Sequence, residues 1–194
     1  MAVLYTTVAK EAHAEQTIEK SRFIAHIKPV STKEEADEYI AQIRAQYRDA
    51  THNVPAFVIG DKMQLQWGSD DGEPSGTSGT PMAQMFQKMG ITNVVVVVTR
   101  YFGGIKLGPG GLVRAYTSSA KLALEAAGIL EVREYIEEKI VIPYSYFDKI
   151  KYLSEGGPYA IIDTAFAENV TLTIRYEKDD SMAVESLLSD FLKK

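Results

Sequence analysis

Residues 100–116 read RYFGGIKLGPGGLVRAY, five glycines and one proline interspersed with Arg100, Lys106 and Arg114. Glycine opens backbone conformations closed to other residues and lets a ligand approach main-chain amides. A strand-to-helix turn lined by such amides, with cations close by, is a seat for a phosphate or carboxylate. The candidate contacts are Arg100, Gly103, Gly104, Lys106, Gly108, Gly110 and Gly111, continued by Arg114 and Lys121, with Tyr101 and Phe102 available to stack on unpaired bases. The spacing is neither G-x-G-x-x-G nor G-x-x-x-x-G-K-[ST], which disfavours a dinucleotide fold and a Walker-type nucleotidase. The competing reading is a tight turn whose glycines serve packing alone.

A second segment, GSDDGEPSGTSGTP at 68–81, carries Asp70, Asp71 and Glu73 with the hydroxyls of Ser75, Thr77 and Ser78. Three carboxylates within four residues could hold a divalent cation, form a solvated turn or partner the basic loop; no metal site is assigned. His52 stands near Asp49, ahead of a strand, but no G-x-S-x-G occurs and His13, His26 and His52 lack metal-ligand periodicity. No catalytic residue and no cofactor is expected. His52, Asp70, Asp71, Glu73 and Ser75 form a supporting loop.

These segments need a scaffold. A chain of 194 residues with 45% hydrophobic and 24% charged residues buries an ordinary core. It has no cysteine, which removes disulfides and thiolate chemistry. The start MAVLYTTVAKEAHAE lacks a signal-peptide pattern and no run of about 18 apolar residues occurs, so a cytoplasmic protein without a membrane partner is expected. Net charge is −5, unevenly placed: residues 1–130 hold 13 cations and 13 anions, and residues 131–194 hold 8 and 13. Residues 74–124 contain Lys88, Arg100, Lys106, Arg114 and Lys121 and no acid. Such a local excess attracts anions even on an acidic protein.

Alternation at 21–30 predicts a strand, and a capping pattern at Ser31–Glu34 opens a helix over 32–47. Residues 55–59 and 63–67 flank a Gly-Asp-Lys turn as a hairpin, and Thr80-Pro81 predicts a helix through about 89. Val94–Val98 reads as a strand buried on both faces. A helix over 112–127 ends at Gly128. Strand 132–143, helix 144–155, strands 160–167 and 170–176, and helix 180–192 then suggest a small α+β sandwich. The boundary is expected near 130, giving domains 1–130 and 131–194.

HNVPAFVIG, SDDGEPSGTSGTPM, VVVVTRYFGGIKLGPGGLVRAY and AGI, in this order from about residue 17 onward, resemble the IMPACT family in its short bacterial, YigZ-like form. The resemblance implies a two-domain α+β protein. Its first domain is similar to domain IV of elongation factor G and to the second domain of a small-subunit ribosomal protein; its second is a ferredoxin-like βαββα domain. Eukaryotic members restrain the amino-acid-starvation response to translation through an added N-terminal domain, which is not expected ahead of residue 17 here. The expected function is a translation-associated, stress-response regulator that binds RNA or the ribosome, with translation factors as partners and a monomer or weak dimer as its state. Two alternatives stay open: an enzyme binding a phosphorylated small molecule or nucleotide, and a protein-interaction module using the acidic second domain.

Overall fold

In a computed structural model, which describes residues 3–192, the chain contacts divide into two units. The larger comprises Tyr5–Val132 and the smaller residues 133–192 with Val3 and Leu4. The order is β1 (Val3–Val8), β2 (Ala12–Ile18), β3 (Ser21–Pro29), α1 (Lys33–Gln46), β4 (His52–Ile59), β5 (Leu65–Gly68), α2 (Gly79–Lys88), β6 (Val94–Tyr101), α3 (Gly108–Ala127) and β7 (Ile129–Arg133). β8 (Tyr135–Ile142), α4 (Tyr144–Ser154), β9 (Tyr159–Phe166), β10 (Val170–Glu177) and α5 (Ser181–Leu192) follow.

The larger unit is built on a five-stranded sheet of order β2-β3-β6-β4-β5, antiparallel throughout. The valine run is its middle strand. Val94, Val96 and Val98 join Phe23, Phe86 and Tyr116 in the core beneath α2 and α3. Val95 and Val97 pack on the opposite face with Tyr39, Ile40 and Ile43 of α1. The period-2 alternation of a strand thus feeds two hydrophobic layers at once, which is why every position is β-branched and apolar. Strand β3 is buried on both faces too: Phe23, Ala25 and Ile27 join the same core layer, and Ile24 and His26 are buried on the opposite face.

Local signals shift by a residue or more in four places. Thr32 caps α1 by accepting from Glu35 N at 3.2 Å, while Glu35 accepts from Ser31 N at 2.6 Å, so Glu35 closes the box and Glu34 does not. Helix α2 begins at Gly79, ahead of Thr80-Pro81. The expected strand 132–143 is two strands, β7 and β8, interrupted at Glu134. Strands β1 and β2 precede the expected elements; β2 is an edge strand of half-buried and exposed residues, and β1 pairs with β7.

The smaller unit has a three-stranded antiparallel sheet of order β8-β10-β9. Ile140, Ile142, Ile150, Leu172, Ile174 and Leu188 form its core, so α4 and α5 bury their apolar stripes against the sheet. The protein is a two-domain α+β molecule.

A candidate anion-binding site at the start of α3

The glycine segment leaves β6 under two anchors. Phe102 N donates to Thr51 Oγ1 at 3.0 Å, and Gly103 N donates to Ser21 Oγ at 3.2 Å. A Cβ on Gly103 would lie 2.0 Å from the Lys20 carbonyl oxygen, so this glycine serves close backbone packing, and its amide is taken by Ser21. Gly104, at φ +85°, and Gly108, at φ +69°, turn the chain in the left-handed region, each with open space beside it. Helix α3 then starts at Gly108 with Pro109 in its first turn. Proline's fixed φ suits that position. Gly108, Gly110 and Gly111 are therefore helix rather than loop. The N-cap residue is Leu107, no side chain caps the helix, and its first turn holds no acid. The first amides of α3 are left to solvent or to a ligand.

The five cations of 74–124 divide into two groups. Arg100 is 4% exposed, its Nη1 2.6 Å from Glu73 Oε1 and its Nη2 3.3 Å from Ser21 Oγ. It was expected to contact phosphate. Its position on a strand buried between β3 and β4 instead requires an internal counter-charge. Lys88, Lys106, Arg114 and Lys121 are all exposed, and none joins an ion pair among the described residues. Arg114 Nη1 lies 3.7 Å from where a Gly110 Cβ would stand, which places its guanidinium over the first turn of α3. A groove of about 680 Å³ between α2 and α3 is lined by Lys88, Arg114 and Lys121 together with Met85, Val113 and Thr117.

The two aromatic residues diverge. Tyr101 is half-buried and donates to Asp49 Oδ1 at 3.0 Å. Phe102 is 45% exposed, with the Arg100 guanidinium 5.3 Å from its ring centre.

Each carboxylate of the acidic loop has a separate assignment. Asp70 Oδ1 accepts from Ser78 N, Gly79 N and Ser78 Oγ at 3.0, 3.1 and 2.7 Å, so it caps α2 from outside the helix. Burial alone would raise its pKa; the bonds from Ser78 and the amides of Gly76, Gly79 and Ser78 outweigh that and lower it. Asp71 accepts from Arg44 Nη2 at 2.9 Å and from Asn53 N at 2.7 Å. Glu73 takes Arg100 and, at 2.7 Å, the Tyr116 hydroxyl. Burial first, and then Glu73, hold the Tyr116 phenol far above its ordinary pKa. Ser75 stands exposed on the loop. Tyr116 sits on the apolar stripe of α3, where nothing in the local pattern marks its hydroxyl as a ligand for Glu73.

His52, Glu73, Phe102 and Lys106 meet around a cavity of about 370 Å³ beside Gly108 and Leu112. His52 Nδ1 is 2.7 Å from the Asp71 carbonyl oxygen, an acceptor only, so in the neutral ring Nδ1 carries the proton and Nε2 the lone pair. Nε2 is 3.8 Å from Glu73 Oε1. The acidic loop and the glycine segment thus share one site, apolar at its walls, with acceptors at one side and uncompensated positive groups at the other.

A model of the Impact N-terminal domain matches residues 19–124, and a model of a domain of unknown function, DUF1949, matches residues 140–193. The IMPACT family member YvyE of Bacillus subtilis is 39% identical over 186 residues, covering 96% of this chain and 86% of that protein. The IMPACT family member YigZ of Escherichia coli is 33% identical, covering 91% and 87%. A crystal structure of a hypothetical protein superposes with a TM-score of 0.64 at 31% identity, over 96% of this chain and 91% of its own.

Proposed function

The chain belongs to the IMPACT family, and from that premise we propose that it is a translation-associated regulatory protein that binds RNA, free or in the ribosome, through the basic face of its larger domain. The observation that carries this reading is the set of four exposed cations, Lys88, Lys106, Arg114 and Lys121, standing without ion-pair partners among the described residues around the uncapped start of α3 and the α2–α3 groove. Phosphates supply the charge that these groups lack, and phosphate contacts give affinity without base identity. The groove is open, as a backbone-tracking surface needs to be. Arg100 supports the site from below by holding Glu73 and takes no phosphate itself.

Fluorescence anisotropy with a labelled single-stranded RNA, and co-sedimentation with ribosomes, test the reading. The wild-type protein binds, and the Lys106→Ala/Arg114→Ala/Lys121→Ala variant weakens binding at least tenfold while unfolding at the same temperature. Absence of binding to both targets at low salt overturns it.

A further inference from the structure

We propose that the cavity at the start of α3 receives one unpaired nucleotide: its base lies on Phe102, the amino group of the base bridges His52 and Glu73, and its phosphate sits at Lys106 and the first turn of α3. This rests on the RNA reading and assigns a base-recognising pocket to it.

The two ends of the cavity have opposite chemistry. At the inner end, Nε2 of the neutral His52 ring presents a lone pair 3.8 Å from Glu73 Oε1, and the other oxygen of that carboxylate presents its own. The His52 ring is held by the Asp71 carbonyl at 2.7 Å, and the Glu73 carboxylate by Arg100 and Tyr116. Both of those bonds fall on Oε1; among the described residues no donor reaches Oε2. Two fixed acceptors side by side call for a partner with two N–H hydrogens on one nitrogen. Adenine, cytosine and guanine carry such an exocyclic amine, whereas uracil offers a single N–H between two carbonyls.

The outer end asks for an anion. Lys106 is exposed and unpaired among the described residues, and the first turn of α3 has neither a capping side chain nor an acid. Glycines at 108, 110 and 111 leave Pro109 as the only Cβ-bearing residue among the first four of α3, and Arg114 reaches over that turn. Arg100, 4% exposed, also lines the cavity.

Between the ends the walls are apolar, with Phe102, Leu107, Leu112 and Pro74 among them. Phe102 leaves 45% of its surface open. An exposed aromatic ring between an acceptor pair and a cationic rim is the arrangement on which a base stacks. The volume, about 370 Å³, lies at the lower end of the range for small-ligand sites.

The test uses the full-length protein and two sets of probes. In the first, AMP, CMP, GMP, UMP, adenosine and inorganic phosphate are titrated while amide shifts are followed by NMR. AMP, CMP or GMP is expected to bind at least tenfold more tightly than UMP, adenosine or phosphate, with shifts confined to residues near 52, 73 and 102–112. Phe102→Ala, at the rim, should weaken that binding at least tenfold without lowering Tm. Equal response to UMP, or a response to phosphate as strong as to any nucleotide, overturns the pocket, as does no response at all. In the second, oligo(A) and oligo(U) RNA are compared. If both bind equally and Phe102→Ala leaves them unchanged while Lys106→Ala/Arg114→Ala/Lys121→Ala weakens both, the nucleotide pocket fails and the RNA reading stands. If mononucleotides bind and neither oligomer does, the pocket stands and the RNA reading fails.

Discussion

Arg100 Nη1 lies 2.6 Å from Glu73 Oε1, with the two side chains 5% and 4% exposed. This pair ties the middle strand of the sheet to the acidic loop and cancels two charges inside the larger domain. Removing one partner strands the other in a medium where it is poorly solvated. Arg100→Met is therefore expected to cost about 3–5 kcal/mol, and Glu73→Gln a similar amount. The double variant should cost clearly less than the two single losses together, because no charge is left behind. Urea unfolding of the four proteins measures this; strict additivity would mean that the pair is not coupled.

The two adjacent glycines after Phe102 should respond differently to alanine. Gly103→Ala places a methyl 2.0 Å from the Lys20 carbonyl oxygen, a backbone atom that cannot move aside. Gly104→Ala meets open space and carries only the cost of its φ of +85°, roughly 1–2 kcal/mol. Thermal unfolding should rank Gly103→Ala well below Gly104→Ala. An equal Tm for both would contradict the packing role of Gly103.

His26 introduces a pH dependence. It is 6% exposed, with His13 6.4 Å and Tyr47 4.9 Å away by ring centres, and Glu11, Tyr39, Gln42 and Gln46 around the same cavity. Burial, and then the His13 charge, lower its pKa from 6.5 to about 4. Between those values the unfolded chain binds the proton and the folded one does not, so stability falls as pH drops from about 6.5 to about 4 and levels below that window. The full contribution is about 3 kcal/mol. His26→Gln should flatten this part of the stability–pH curve; an unchanged slope would contradict it.

Asp70 acts at lower pH. Its lowered pKa means that the carboxylate stabilises the fold above the ordinary aspartate range and loses that effect as pH falls through the folded value. Asp70→Ala removes the acceptor for the amides of Gly76, Ser78 and Gly79, and should cost about 1–2 kcal/mol at neutral pH. As pH falls through that lowered value, the variant and the wild type should converge in denaturant titrations.

The elements most legible in the sequence carried their own local signals: five β-branched residues for β6, a capping pattern at Ser31–Glu34, one residue ahead of the Thr32 and Glu35 that form the cap, for α1, and Gly128 ending α3. The start of α3 was misread because glycines at 108, 110 and 111 signal a loop, whereas Pro109 and the packing of Leu112 and Tyr116 carry the helix through them. Strand β2 was missed because an edge strand holds few buried apolar residues. The fate of Arg100 was not legible, since its partner Glu73 is 27 residues away and a charge count cannot tell a buried pair from a free cation. Arg114 and Lys121 were legible as surface cations because helical spacing sets them off the apolar stripe of Tyr116, Ala120 and Ala123.

The salt dependence of binding to single-stranded RNA reports directly how many phosphates the basic face neutralises. Four contacts, from Lys88, Lys106, Arg114 and Lys121, correspond to a slope of log K against log salt of about −3, and each alanine substitution among them should reduce it by about 0.7. A slope near zero, or one unchanged when these four residues are replaced, would contradict RNA binding at this face.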